Sequence, residues 1–146
     1  MKKESLVWLI LFFCVFLVGM GGLSGSVPVS VPEPAINYAA TITDQSDVST
    51  RVEKISFDGQ TVVSGRLGSG RISIGFDKIA SIHFVLRDKT LEAEVLLKDG
   101  EKLVVVVDKG VVCYGKLPYG ELKIAMEDIR TIAMHGQVTG DATAEK

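Results

Sequence analysis

The sequence is poor in the residues that make covalent cross-links or metal sites. Its 146 residues include two cysteines and two histidines. Cys14 lies in an N-terminal hydrophobic stretch, so Cys113 is the one cysteine downstream and cannot form a disulfide within that part of the chain. Zinc needs three or four ligands, and neither His83 nor His135 has a second histidine or a cysteine at ligand spacing. We therefore exclude a disulfide scaffold and predict no metal site and no cofactor.

Catalytic and nucleic-acid-binding patterns are also lacking. The formal net charge of −2 gives no clustered basic footprint for nucleic acid or for an anionic membrane surface. No serine stands in a nucleophile-elbow pattern. The stretch 65–71 contains three glycines and two arginines, but a strand pattern follows it, whereas a phosphate loop needs the N-terminus of a helix. We predict a protein that is not an enzyme, with no catalytic residue.

The N-terminus carries an export signal. Lys2 and Lys3 precede the apolar run Leu6–Val18, and small residues follow it. This order predicts a hydrophobic helix that serves as a signal peptide over residues 1–26. The alternative is an uncleaved anchor, because residues 6–23 approach the shortest length that crosses a bilayer. Either way we predict an exported protein, periplasmic or anchored to the inner membrane by residues 6–23, which touches the membrane only through this segment.

Three further regions follow the leader. Residues 27–46 contain three closely spaced prolines, which predicts an extended linker. Residues 47–136 are dense in strand signals and lack helical periodicity, which predicts one all-β domain. Residues 137–146 are small and polar, which predicts a disordered tail.

The predicted domain contains a repeated pattern. The stretch Gly70–Phe84 and the stretch Gly120–Met134 share their glycine and most of their apolar positions. Together with the turn signals, they predict an antiparallel β-sandwich or barrel of about nine short strands, built from two related halves. Two tandem small barrels remain the alternative.

Each copy of the repeat contains an irregular spacing. Ile79 and Ile82 in the first copy, like Ile129 and Ile132 in the second, are three residues apart, whereas strand residues on one face recur every two. We therefore predict a single helical turn or a bulge before the last strand of each copy.

One turn has the composition of a binding surface. Tyr114, Leu117, Pro118 and Tyr119 surround it, and tyrosine offers rigid apolar area with a polar tip. We take these four as candidate binding residues, with capping of the β-structure as the alternative.

Residues 112–132 resemble a segment of an uncharacterised family of exported bacterial β-proteins with a repeated Gly-x-Φ-x-Ile…Ile-x-x-Ile strand pattern. The resemblance implies a cell-envelope location and supplies no catalytic residue. The first hypothesis is a non-catalytic envelope module that binds another envelope protein or scaffolds an assembly. The alternative is a small-ligand carrier or enzyme with a cavity in the β-domain, because the apolar run Leu103–Val107 predicts a strand covered on both faces.

Overall fold

A computed structural model describes residues 31–139. The predicted signal peptide or anchor, its hydrophobic helix and most of the predicted tail lie outside these residues. The described chain forms ten strands and two 3₁₀ turns, η1 and η2. In chain order they are β1 (Tyr38–Asp44), β2 (Ser49–Phe57), β3 (Val62–Leu67), β4 (Gly70–Gly75), η1 (Phe76–Lys78), β5 (Ile79–Arg87), β6 (Thr90–Leu97), β7 (Lys102–Val107), β8 (Val112–Leu117), β9 (Gly120–Ala125), η2 (Met126–Asp128) and β10 (Ile129–Gln137).

The all-β prediction is confirmed, and its details are corrected. The strands number ten rather than nine, and they form one curled antiparallel sheet instead of a closed barrel or two packed sheets. The additional strand is β1, which occupies residues 38–44 of the predicted linker. The predicted helical turns are confirmed, since η1 and η2 directly precede β5 and β10. Among residues 31–139, no helix is long and apolar enough to span a membrane.

The strand order shows how the two copies of the repeat combine. The sheet runs β4-β3-β7-β6-β5-β10-β1-β2-β8-β9. If β1 is exchanged with β6, β2 with β7, and so on to β5 with β10, the same order results, read from the opposite edge of the sheet. The sheet therefore has two equivalent lobes: lobe 1 is β3–β7, and lobe 2 is β1, β2, β8, β9 and β10. We extend the name copy to the five strands that end with each repeated stretch, so the first copy is β1–β5 and the second is β6–β10. Each copy contributes its first two strands to the lobe that contains the other copy's last three.

The lobes meet at β5 and β10, around a pseudo-two-fold axis. Ile82 pairs with Ile132, the residue at the same position of the other copy. Both side chains are buried. Equivalent residues of the two copies are therefore paired where the lobes meet. The repeated apolar pattern supplies buried side chains at this junction as well as within each lobe.

Small residues allow the first hairpin of each copy to pack in the opposite lobe. A Cβ atom at Gly65 would lie 2.5 Å from Cγ1 of Val105, and one at Gly115 would lie 2.7 Å from Cβ of Val52. These distances are too short for any side chain. Glycine at both places therefore lets β3 lie against β7 and β8 lie against β2.

The core covers one face of the sheet and crosses both lobes. Phe76 of η1, in lobe 1, packs edge-to-face against Tyr38 and Phe57 of lobe 2, with ring centroids 5.8 and 5.3 Å away. The prediction that Leu103–Val107 is covered on both faces is wrong. Val105 is buried whereas Val104 is 51% exposed, so β7 alternates like any strand with one solvated face.

Candidate functional site

An open groove lies in lobe 2, where β2 and β8 diverge. Its volume is about 790 Å³, and its walls are the first half of β2 and the turn between β8 and β9. The two most exposed apolar side chains at its rim are Tyr119, 84% exposed, and Val48, 56% exposed. Exposed apolar area beside a concave surface is typical of sites that bind another molecule. We call this surface the β2–β8 groove.

Strand pairing leaves one side of β2 free within the groove. The ladder between β2 and β8 starts at Glu53 and Lys116 and continues to Phe57 and Cys113. The preceding residues, Ser49–Val52, pair with β1 on their other side. Within residues 31–139, no strand pairs with Ser49–Val52 on the groove side. Half of β2 is thus a strand edge, which can pair with an additional extended segment.

The turn that forms the other wall owes its shape to its sequence. Leu117 pairs with Gly120, which leaves Pro118 and Tyr119 as the two residues of the turn. Proline fixes its own φ near the value that tight turns need, so the turn is rigid before any partner binds. Leu117 packs against the core beneath the turn. Tyr119 is therefore held outward on a stiff support.

Charged side chains of both signs border the groove. Arg51 and Glu53 lie two residues apart on β2, and Lys116 of β8 pairs with Glu53. The apolar rim with mixed charges around it matches the general composition of a protein-binding surface, which has an apolar centre and a polar border.

The structure separates the four residues proposed from the sequence. Leu117, Pro118 and Tyr119 line the β2–β8 groove together. Tyr114 does not, because it lies on the outer face of β8 near residues 31–34. Val48 and the free edge Ser49–Val52 were not predicted, because pairing between β2 and β8 joins segments that are remote in the chain.

Residues 31–34 pack on the outer face of lobe 2. The Glu33 carboxylate accepts hydrogen bonds from Lys54 and from Lys116, the latter at 3.4 Å. These bonds lower the pKa of Glu33, and the Glu33 contact raises the pKa of Lys54. Asn37 fixes the next part of the segment, because its Oδ1 accepts a 2.8 Å hydrogen bond from the backbone N–H of Lys54. Lys54 has a φ of 49°, which marks the bulge in β2 where this bond forms.

Cys113 is a small buried core residue. Its side chain is fully buried in β8, and burial raises the pKa of its thiol to about 12. The thiol is therefore protonated at neutral pH and lacks the thiolate character of a reactive cysteine. The residue at the same position of the other copy is Val63, which is equally buried.

The equivalence of Cys113 and Val63 predicts that substitution of Cys113 by serine is destabilising and substitution by valine is nearly neutral. Cys113→Ser should lower the free energy of unfolding by about 1–3 kcal/mol, because it places a hydroxyl in an apolar site. Cys113→Val should change it by less than about 1 kcal/mol, since lobe 1 already accommodates valine there. Urea unfolding followed by circular dichroism measures both. Equal losses would show that the two positions are not packed alike.

Other reactive groups are dispersed. His83 lies on the solvated face of β5, and His135 on β10 contacts Thr41 Oγ1 on β1 at 2.7 Å. No group of three histidine, cysteine or carboxylate side chains within residues 31–139 is arranged to hold a metal ion.

Fold and groove together define an all-β protein with a single two-lobed sheet and an open strand edge. The family described as "Uncharacterised protein" matches residues 34–137, which is most of the described chain, and the protein belongs to that family. The expected membership of an uncharacterised family is thus confirmed. Neither a curated protein nor a solved structure matches the chain.

Proposed function

We propose that this protein is a non-catalytic binding or scaffolding module of the cell envelope, and that it binds an extended segment of another envelope protein in the β2–β8 groove. The observation that carries the proposal is the free edge of Ser49–Val52 beside the exposed Tyr119. The edge supplies backbone hydrogen-bonding groups, and the tyrosine supplies rigid apolar area, which are the two requirements of strand addition.

The alternative of a ligand carrier or enzyme has less support. Its motive was a strand covered on both faces, and Val104 is 51% exposed instead. The residues that line the β2–β8 groove also lack a nucleophile paired with a base.

Site-specific photo-crosslinking in the source cells tests the binding site. A benzoylphenylalanine at position 119 should give one discrete adduct with an envelope protein. The same residue at position 86 is the matched control, because Leu86 is a 57% exposed apolar residue of β5, outside the groove. Adducts of the same size and yield at both positions, or none at position 119, would contradict the proposal.

The adduct identifies the partner, and purified components then test the energetics. Tyr119→Ala should weaken the complex about tenfold or more, because an exposed aromatic side chain that a partner buries contributes strongly to binding energy. The control Leu86→Ala should leave the affinity unchanged. Isothermal titration calorimetry measures both, and an unchanged affinity in Tyr119→Ala would remove the turn from the site.

Cell fractionation with N-terminal sequencing tests the location. A soluble periplasmic form that starts near Gly25 or Val27 would support export with cleavage, and an intact Met1 in the membrane fraction would support an anchored form. Recovery in the cytosol with Met1 intact would contradict the envelope assignment.

A further inference from the structure

The pseudo-two-fold relation allows the outer faces of the two lobes to be compared position by position. In lobe 2, Lys116 of β8 pairs with Glu121 of β9 next to the turn. These two residues, with Gly115, border the surface on which residues 31–34 lie. One extended segment with a carboxylate, Glu33, thus covers the outer face of this hairpin.

The same positions of lobe 1 carry a different charge pattern, and no segment within residues 31–139 covers them as residues 31–34 cover lobe 2. Arg66 of β3 pairs with Arg71 of β4, in the place that Lys116 and Glu121 occupy in lobe 2. Both arginines line an open groove of about 630 Å³, which also includes Gly65. We call it the β3–β4 groove.

Two like charges directly opposite each other on a hairpin repel each other and are unfavourable. Among residues 31–139, neither Arg66 nor Arg71 has a carboxylate within ion-pair distance. Asp108 also lines the groove, but its Oδ1 accepts a 2.8 Å hydrogen bond from the Gly110 N–H. With two arginines and one aspartate, the lining of the groove carries a net positive charge, which favours an anionic ligand.

The remainder of the groove suits a peptide chain. Ser64 and Ser73 face each other across the hairpin with their hydroxyls 2.9 Å apart, and half-buried Val106 and Ile72 provide apolar contact. The hydroxyl and guanidinium donors are spread along an open, partly apolar groove. This arrangement suits an extended peptide better than a small ion, which needs donors gathered around one point.

We infer that the β3–β4 groove binds an extended segment of a partner protein that carries a glutamate or aspartate beside proline or small apolar residues. The equivalent face of lobe 2 already binds such a segment, because Glu33, between Pro32 and Pro34, accepts hydrogen bonds from two lysines there. Arg66 and Arg71 supply two cations here, and guanidinium groups can bind a carboxylate through two parallel hydrogen bonds. This surface is separate from the β2–β8 groove, and the inference does not depend on the proposed function.

A labelled peptide tests the inference on the full chain in a nonionic detergent. The probe is fluorescein-tagged Val-Pro-Glu-Pro-Glu-Pro-Val, and fluorescence anisotropy reports its binding. We expect saturable binding at low ionic strength that weakens with added salt. The Arg66→Gln/Arg71→Gln double variant should bind about tenfold more weakly or worse, because charge-assisted hydrogen bonds are lost. A probe with glutamine in place of glutamate should lose affinity by the same factor.

Arg51→Gln is the matched control, since Arg51 borders the β2–β8 groove instead. It should bind the probe like the parent protein. The double variant should have a urea midpoint no lower than the parent's, because it removes a repulsive pair from an exposed surface. A loss of binding without a fall in the midpoint then reports the groove and not the fold.

Several results would overturn the inference: no saturable binding at millimolar probe, equal affinity for the glutamate and glutamine probes, or a loss in Arg51→Gln that the double variant does not show. Sedimentation with vesicles of anionic lipid provides the last arm. Vesicle binding that requires Arg66 and Arg71, without peptide binding, would make the occupant a membrane surface and the inference wrong.

Discussion

Replacing Phe76 by alanine is expected to lower the free energy of unfolding by about 3–5 kcal/mol, the usual cost of removing a buried aromatic ring. The side chain is 1% exposed and makes edge-to-face contacts with two rings of the other lobe. The cavity would therefore open at the boundary between the lobes, where two elements remote in the chain meet. For a domain of this size, the melting temperature should fall by roughly 15 °C.

The repeat supplies the control. Met126 of η2 is the equivalent residue of the second copy and is also buried. Phe76→Met therefore introduces a side chain that the fold already accepts at this position. It should cost about 1–3 kcal/mol, because two aromatic pairs worth about 0.5–1.5 kcal/mol each are lost while most of the volume stays. Urea unfolding followed by circular dichroism gives the free energies of unfolding of the parent protein and of both variants. A cost below about 1 kcal/mol for Phe76→Ala would show that the ring is not part of the core.

The sequence was informative wherever local spacing determines structure. The three-residue interval between Ile79 and Ile82 does not fit a regular strand, so it indicated a turn or a bulge near the start of the last strand. The turn η1 ends at Lys78, directly before Ile79, and the ladder between β5 and β6 shifts its register between Ile79 and Ser81. Its counterpart η2 followed from the second copy in the same way. Turns of this kind depend on residues that are neighbours in the chain, which is why a single sequence could predict them.

Strand β1 was missed because its sequence is a weak strand signal. Tyr38–Asp44 begins with Ala39 and Ala40, and alanine is depleted in strands. Both alanines are nonetheless buried, since the strand lies at the centre of the sheet between β10 and β2. Tertiary packing places this segment, and nearby prolines made it resemble a linker.

The exchange of hairpins between lobes could not be predicted from the repeat. Periodicity tells which face of a strand is buried, but it does not tell which strand is its neighbour. The same core pattern would suit β2 against β3 as well as β2 against β8. The free edge Ser49–Val52 follows from that choice of partner, so the candidate site was only half visible in the sequence.

The second large effect concerns the two glycines that allow this exchange. Gly115→Ala should lower the free energy of unfolding by about 2–3 kcal/mol through overpacking. The three atoms nearest to the new Cβ all belong to Val52: its Cβ at 2.7 Å and its two γ-carbons at 2.9 and 3.0 Å. Both residues belong to lobe 2 but come from different copies of the repeat, so the clash would push β8 away from β2.

A double-mutant cycle tests how much of the clash comes from the γ-carbons of Val52. Val52→Ala removes both γ-carbons and costs about 1–3 kcal/mol by itself. The double variant Gly115→Ala/Val52→Ala should be more stable than the sum of the single losses predicts, by about 1 kcal/mol, because the contacts with both γ-carbons are gone; the contact of 2.7 Å with the Cβ of residue 52 stays, so the rescue is partial. Unchanged urea m-values would show that both states retain their compactness. Strict additivity would mean that β8 does not lie against Val52.

Gly65 provides the contrasting case in lobe 1. A Cβ there would meet the carbonyl oxygen of Val106 as well as Cγ1 of Val105. Removing the γ-carbons with Val105→Ala leaves the carbonyl in place, and a backbone atom of a central strand cannot move aside without breaking its ladder. Gly65→Ala should therefore cost about 3 kcal/mol, and Val105→Ala should not rescue it. We therefore expect coupling between the substitutions at Gly115 and Val52 and none between those at Gly65 and Val105. Both expectations depend on the exchanged arrangement of hairpins, in which each glycine faces a strand of the other copy.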